Sequence, residues 1–94
     1  MNRSGRTHAE YLQIFLDMKR DDLGQREMAK QVGVTQSALS AGFREAIEDY
    51  YSKFSRIRSK GLTGKEAVKA LGRTVREHNT IVTQLNKYIE ESNL

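Results

Sequence analysis

Gln36, Ser37, Ser40 and Arg44 are the residues whose types and spacing best suit chemistry, and that chemistry is hydrogen bonding rather than bond-making. A glutamine amide donates and accepts at once, a serine hydroxyl does both, and a guanidinium offers a fork of donors. On a helix, steps of one, four and eight residues keep all four side chains on one side. Such a set suits the donor and acceptor pattern of a base edge. Gln36 can pair bidentately with adenine, Arg44 can reach guanine or a phosphate, and the serines can meet either. The bland alternative is that Gln36, Ser37 and Ser40 are polar residues on a solvated helix face. Nothing equips the chain for catalysis. Cysteine is absent, and His8 and His78 stand too far apart in sequence for a metal motif. No phosphate-cradling loop, metal cluster or nucleophile paired with a base is present, so neither an enzyme nor a cofactor or metal is expected.

The stretch that must position these residues is Gln25-Arg-Glu-Met-Ala-Lys-Gln-Val-Gly-Val-Thr-Gln-Ser-Ala-Leu-Ser40. It reads as a short helix, a tight turn at Gly33 and a second helix begun by Thr35. Ala29 is small enough for a close helix crossing, and glycine tolerates the positive φ that such a turn favours. Met28, Val32, Val34 and Leu39 form the expected apolar seam.

This pattern resembles the helix-turn-helix of bacterial, phage and plasmid DNA-binding regulators. The resemblance implies a recognition helix whose first turns enter the major groove, with Gln36, Ser37, Ser40 and Arg44 as base-reading residues. Family members commonly place glutamine or serine at these outward positions. It also implies phosphate contacts by Gln25, at the start of the first motif helix, and by Thr35. Regulators of this size commonly bind palindromic operators as homodimers and repress transcription. One short helix reads too few bases for operator-level specificity, which favours dimers on physical grounds too. Gly42 departs from the pattern, since a branched apolar residue usually locks the second helix there. Glycine costs about 1 kcal/mol of helix propensity at such a position, and Phe43 is the residue expected to compensate.

Charge complicates the assignment. The chain has 94 residues, suited to one modest core, and a net charge of +4. Residues 21–51 are net acidic: Asp21, Asp22, Glu27, Glu45, Glu48 and Asp49 outnumber Arg26, Lys30 and Arg44. Residues 52–76 hold Lys53, Arg56, Arg58, Lys60, Lys65, Lys69, Arg73 and Arg76 against Glu66 alone. Glu45, Glu48 and Asp49 are therefore expected to face away from DNA. The phosphate grip is expected from Lys53, Lys65, Arg73 and Arg76, with Arg3 and Arg6 in an arm over residues 1–6. A frayed terminus is the plainer reading of that arm. No apolar run approaches the roughly 18 residues of a membrane span, and no signal-peptide core follows the start. A cytoplasmic, DNA-associated location is expected.

The remaining chain reads as helices. Thr7 and Glu10 form a capping-box signature for a helix to about residue 20, with Tyr11, Leu12, Phe15 and Met18 on one stripe widened by Ile14. Leu39, Phe43, Ile47, Tyr50, Phe54 and Ile57 alternate steps of four and three, which suits one long helix or two broken near Asp49. Core packing is the ordinary role of that seam, and a subunit contact by Tyr50, Tyr51, Phe54 and Ile57 is the other. Gly61 ends it, Thr63 caps a short helix over 64–71, and Gly72 turns the chain into a last helix over 74–91. That helix carries Val75, Val82, Leu85 and Ile89, with Ile81 and Tyr88. The expected fold is an all-α compact bundle of five or six helices in one domain, comprising the arm, a DNA-binding region over 7–60 and a C-terminal helical region over 61–94.

A shift of 39 residues matches Leu23 with Leu62, Glu27 with Glu66, Lys30 with Lys69, Gly33 with Gly72 and Thr35 with Thr74. A second, degenerate helix-turn-helix is one reading and a hairpin for packing or dimerisation the other, because Val34 becomes Arg73 and Leu39 becomes His78. The expected function is a dimeric, sequence-specific double-stranded DNA-binding repressor. Its rivals are a helical protein-interaction module, such as an anti-repressor or adaptor, and an architectural or plasmid-partition protein with two helix-turn-helix units.

Overall fold

The computed structural model describes residues 6–93, and every element among them is helical. The elements are α1 (His8–Arg20), α2 (Gln25–Val32), α3 (Gln36–Arg58), α4 (Gly64–Ala70) and α5 (Val75–Ser92). The expectation of an all-α fold with five or six helices is met with five. The seam of α3 stays one unbroken helix through Asp49, as a stretch without proline allows. The chain divides into two compact units, residues 1–46 and 47–94, with α3 contributing residues 36–46 to the first and 47–58 to the second.

Four of the five helix starts are fixed by threonine. In α1, Thr7 Oγ1 accepts from the Glu10 amide at 3.1 Å while Glu10 accepts from the Thr7 amide at 3.0 Å. The same reciprocal box opens α4 with Thr63 and Glu66 and α5 with Thr74 and Glu77. Each box satisfies amides that a helix start leaves without partners. The amides of Thr7 and Thr63 hold the carboxyls of Glu10 and Glu66 below the ordinary carboxylate range. At α3 the box is incomplete. Thr35 Oγ1 accepts from the Ala38 amide at 3.1 Å, and alanine has nothing to return.

In the first unit, α1 buries Tyr11, Leu12, Phe15, Leu16 and Met18 with Met28 and Ala29 of α2 and Leu39, Phe43 and Ala46 of α3. The rings of Phe15 and Phe43 meet edge to face at 5.4 Å, a favourable aromatic geometry. Gly42 is buried against Tyr11, and a Cβ there would lie 2.6 Å from the Tyr11 Cε1 atom. Glycine at this position thus has a steric cause. The Tyr11 ring occupies the space a branched residue would need.

In the second unit, Ile47 and Tyr50 of α3, Ala67 and Val68 of α4, and Ile81 and Tyr88 of α5 are buried. The Tyr50 hydroxyl and His78 Nδ1 are hydrogen-bonded at 2.9 Å, and the Phe54 ring lies 4.5 Å from the His78 ring. Burial pushes the Tyr50 phenol above its ordinary value and the His78 imidazole below its own. His78 therefore fills a seam position as a hydrogen-bonded aromatic ring.

The 39-residue echo is broader than residues 23–35. Tyr11 matches Tyr50, Phe15 matches Phe54, and the start of α3 at Gln36 matches the start of α5 at Val75. Gly33 (φ 83°) matches Gly72 (φ 74°), and Asp22 (φ 54°) matches Gly61 (φ 98°). The Val34 amide donates to the Ala29 carbonyl at 3.1 Å, and the matching Arg73 amide donates to the matching Val68 carbonyl at 3.1 Å. Each unit is thus one helix, a turn, a short helix, a glycine turn and a threonine-started helix. At position 42 the first carries glycine under a tyrosine ring, and the second carries buried Ile81 in its place.

Candidate nucleic-acid interface

The amino-terminal end of α3 carries the four residues singled out for base reading. Gln36, Ser37 and Arg44 are exposed and Ser40 is half-buried. At 100° per residue the four fall within an arc of roughly 100°. Leu39 and Phe43, just outside that arc on the flank nearest Gln36, are fully buried and fix the rotation of the helix. Thr35, one residue earlier, is exposed and its hydroxyl oxygen caps the helix.

Electrostatics distinguish this end from the others. The first turns of α1, α2, α4 and α5 carry Glu10, Glu27, Glu66 and Glu77, whereas the first turn of α3 has no acidic residue. A helix start has positive partial charge that acidic side chains neutralise, and α3 keeps its own. Glu45 and Glu48 lie exposed farther along α3, and Asp49 is joined to Lys53 at 3.0 Å.

The residues expected to grip phosphate have more varied settings. Gln25 is half-buried in the first turn of α2, whose cap, Gly24, supplies no side-chain hydrogen bond. Arg6 donates through Nη2 to the Val32 carbonyl at 3.1 Å, tying the start of the described chain to the carboxyl end of α2. Twenty-six residues separate that pair, so no local pattern in the sequence signals it. Arg3 lies outside the described residues. Lys53 keeps a 56% exposed side chain, and an ion pair so exposed gives way at little cost. Lys65 and Arg76 are exposed in the first turns of α4 and α5.

Arg73 stands apart. Its side chain is only 16% exposed and its Nη1 lies 3.6 Å from Glu77 Oε2. The same Glu77 completes the α5 capping box through Oε1. Arg73 also lies near the Tyr50 hydroxyl and opposes the rise of the Tyr50 phenol. The turn before α5 is therefore bound into its own unit by an arginine, a glutamate, a tyrosine and a histidine. Arg56, Lys60 and Lys69, which the sequence offers only as members of a basic run, are exposed as well.

Among the described residues no three His, Asp or Glu side chains gather where they could hold a metal ion, and no helix is long and apolar enough to cross a membrane. Comparison with known proteins finds no matching family profile, no matching curated protein and no matching solved structure.

Proposed function

We propose that the protein binds double-stranded DNA sequence-specifically as a dimeric transcriptional repressor of helix-turn-helix type, working in the cytoplasm on the nucleoid. The amino-terminal turns of α3 read bases. The observation that carries this reading is the start of α3: exposed Gln36 and Ser37 on a threonine-capped helix whose first turn alone lacks a carboxylate. A carboxylate there would face phosphates, and a polar neutral start admits them. In this account Gln36 and Arg44 choose the bases, Ser37 and Ser40 add hydrogen bonds, and Gln25 and Thr35 hold phosphates. Sequence-independent grip comes from exposed lysines and arginines of residues 53–69.

The experiment is binding to random-sequence duplex across a salt series. A DNA binder with about six phosphate contacts loses on the order of a thousandfold in affinity between about 50 and 200 mM salt, because bound phosphates release counterions. Absence of binding at the lowest salt would overturn the proposal in favour of a helical interaction module that keeps the shape without reading DNA.

A further inference from the structure

The second unit leaves partly uncovered two apolar positions whose counterparts in the first are buried. Leu12 and Phe43 are buried, whereas the matching Tyr51 is 38% exposed and the matching Val82 is half-exposed. Val82 is the midpoint of a stripe on α5, with Val75 and Ile89 seven residues to either side and 47% and 50% exposed. Each step of seven drifts by about 20°, about 40° from end to end, so the stripe runs nearly along the helix axis for about 21 Å. Ile81 and Tyr88, one residue back from Val82 and Ile89, face the interior instead.

We propose that this stripe is where two copies of the chain pair, α5 against α5 and antiparallel. The occupant is identified by charge. Helices α1 to α4 each carry lysine or arginine in the last turn, while α5 carries none and ends in Glu90 and Glu91. Carboxylates at the negative end of a helix oppose its dipole. The other end of α5 carries exposed Arg76, while Glu77 beside it is taken up by the capping box and Arg73. Arg76 and Glu90 lie to the same side of the stripe, roughly 120° and 80° around from Val82. An antiparallel copy brings Arg76 of each chain to Glu90 of the other, twice by symmetry. A parallel copy would carry Arg76 and Glu90 to opposite flanks of the pair and align the two helix dipoles, and a phosphate backbone would be repelled by the glutamates. The proposal rests on the dimeric form of the DNA-binding reading and supplies its contact, assigning Arg76 to the partner chain rather than to phosphate.

Sedimentation equilibrium of the full chain without DNA tests it. The wild-type chain is expected to be dimeric at about 100 μM. Arg76→Glu and Glu90→Arg are each expected to weaken dimerisation about tenfold, since two attractive pairs become repulsive, and the double exchange returns affinity to within about threefold of wild type. Ile89→Lys, an exposed substitution, yields monomer with unchanged helical circular dichroism. A wild-type chain monomeric at that concentration, or a double exchange no better than the single ones, overturns the proposal. A monomer that still binds duplex overturns the pairing alone. A dimer that binds no duplex supports the pairing and overturns the DNA-binding reading.

Discussion

Ala38 and Glu77 hold matching positions in the two threonine-started helices, and the difference between them separates the two units. Around both, the backbone is alike: a left-handed glycine, the same amide-to-carbonyl bond across the turn, and a threonine cap. Beyond that the side chains diverge. Before α5, Glu77 closes the capping box and pairs with Arg73, and His78 bonds Tyr50, so the turn spends its polar groups on its own unit. Before α3, Ala38 leaves the helix start without a carboxylate, and Gln36, Ser37 and Arg44 point outward. A shared backbone therefore supports two uses, packing in one unit and, in the proposed function, reading in the other. Which use prevails is decided by a few side chains at the helix start.

The largest expected effects fall on the pair that fills the same position differently. Ile81→Ala should destabilise by about 3 kcal/mol, the loss of a fully buried aliphatic side chain plus the cavity it leaves. Gly42→Ala should destabilise by about 2 kcal/mol, because the new Cβ meets the Tyr11 ring and something must shift. Urea denaturation measures both. A neutral or stabilising Gly42→Ala, as helix propensity alone dictates, would show that the ring is not tightly held.

Next comes the reading face. Gln36→Ala should cost about 1–3 kcal/mol of discrimination at one base position, scored by selection from random duplex. Val75→Ala, at the matching position of α5, should leave sequence preference untouched. Loss of preference from the α5 substitution and not from the α3 one would invert the comparison.

Caps come third. Thr35→Ala and Thr74→Ala should each lose about 1 kcal/mol of stability by denaturation. Only Thr35→Ala should also weaken duplex binding, since of these two helix starts only that one is assigned to DNA.

The smallest effect is on pH dependence. Burial lowers the His78 value in the folded chain, so the unfolded chain takes up a proton first as acidity rises. The stabilisation from neutral His78 is present above its ordinary value of 6.5 and is lost as pH falls through that value toward the lower folded one. Between about pH 7.5 and 5.5 the wild-type chain should lose more stability than His78→Phe. Equal losses would remove His78 as the cause.

Most of the helical frame is legible in the sequence because its signals are local. Thr7 with Glu10, Thr63 before Gly64, and Gly33 followed by Thr35 mark helix ends within four residues. The five identities over residues 23–35 expose the echo for the same reason. What escapes is longer in range. Tyr11 and Tyr50 reveal themselves as counterparts only once α1 and the second half of α3 are seen to play the same part in two units. Gly42 looks like a weakness until the ring of Tyr11, thirty-one positions earlier, is placed against it. Arg6 reads as an arm residue because its acceptor, the Val32 carbonyl, belongs to another helix's end. The candidate reading face is legible as residue types on a helix. The absence of a carboxylate from its first turn gains meaning only beside the four helices that have one.

Titration of the labelled chain with duplex DNA, followed by backbone amide shifts, tests the central claim most directly. Shifts concentrated on residues 35–44, with residues 74–83 unmoved, are the predicted result. Shifts centred on residues 74–83, or none in either turn at low salt, would contradict it.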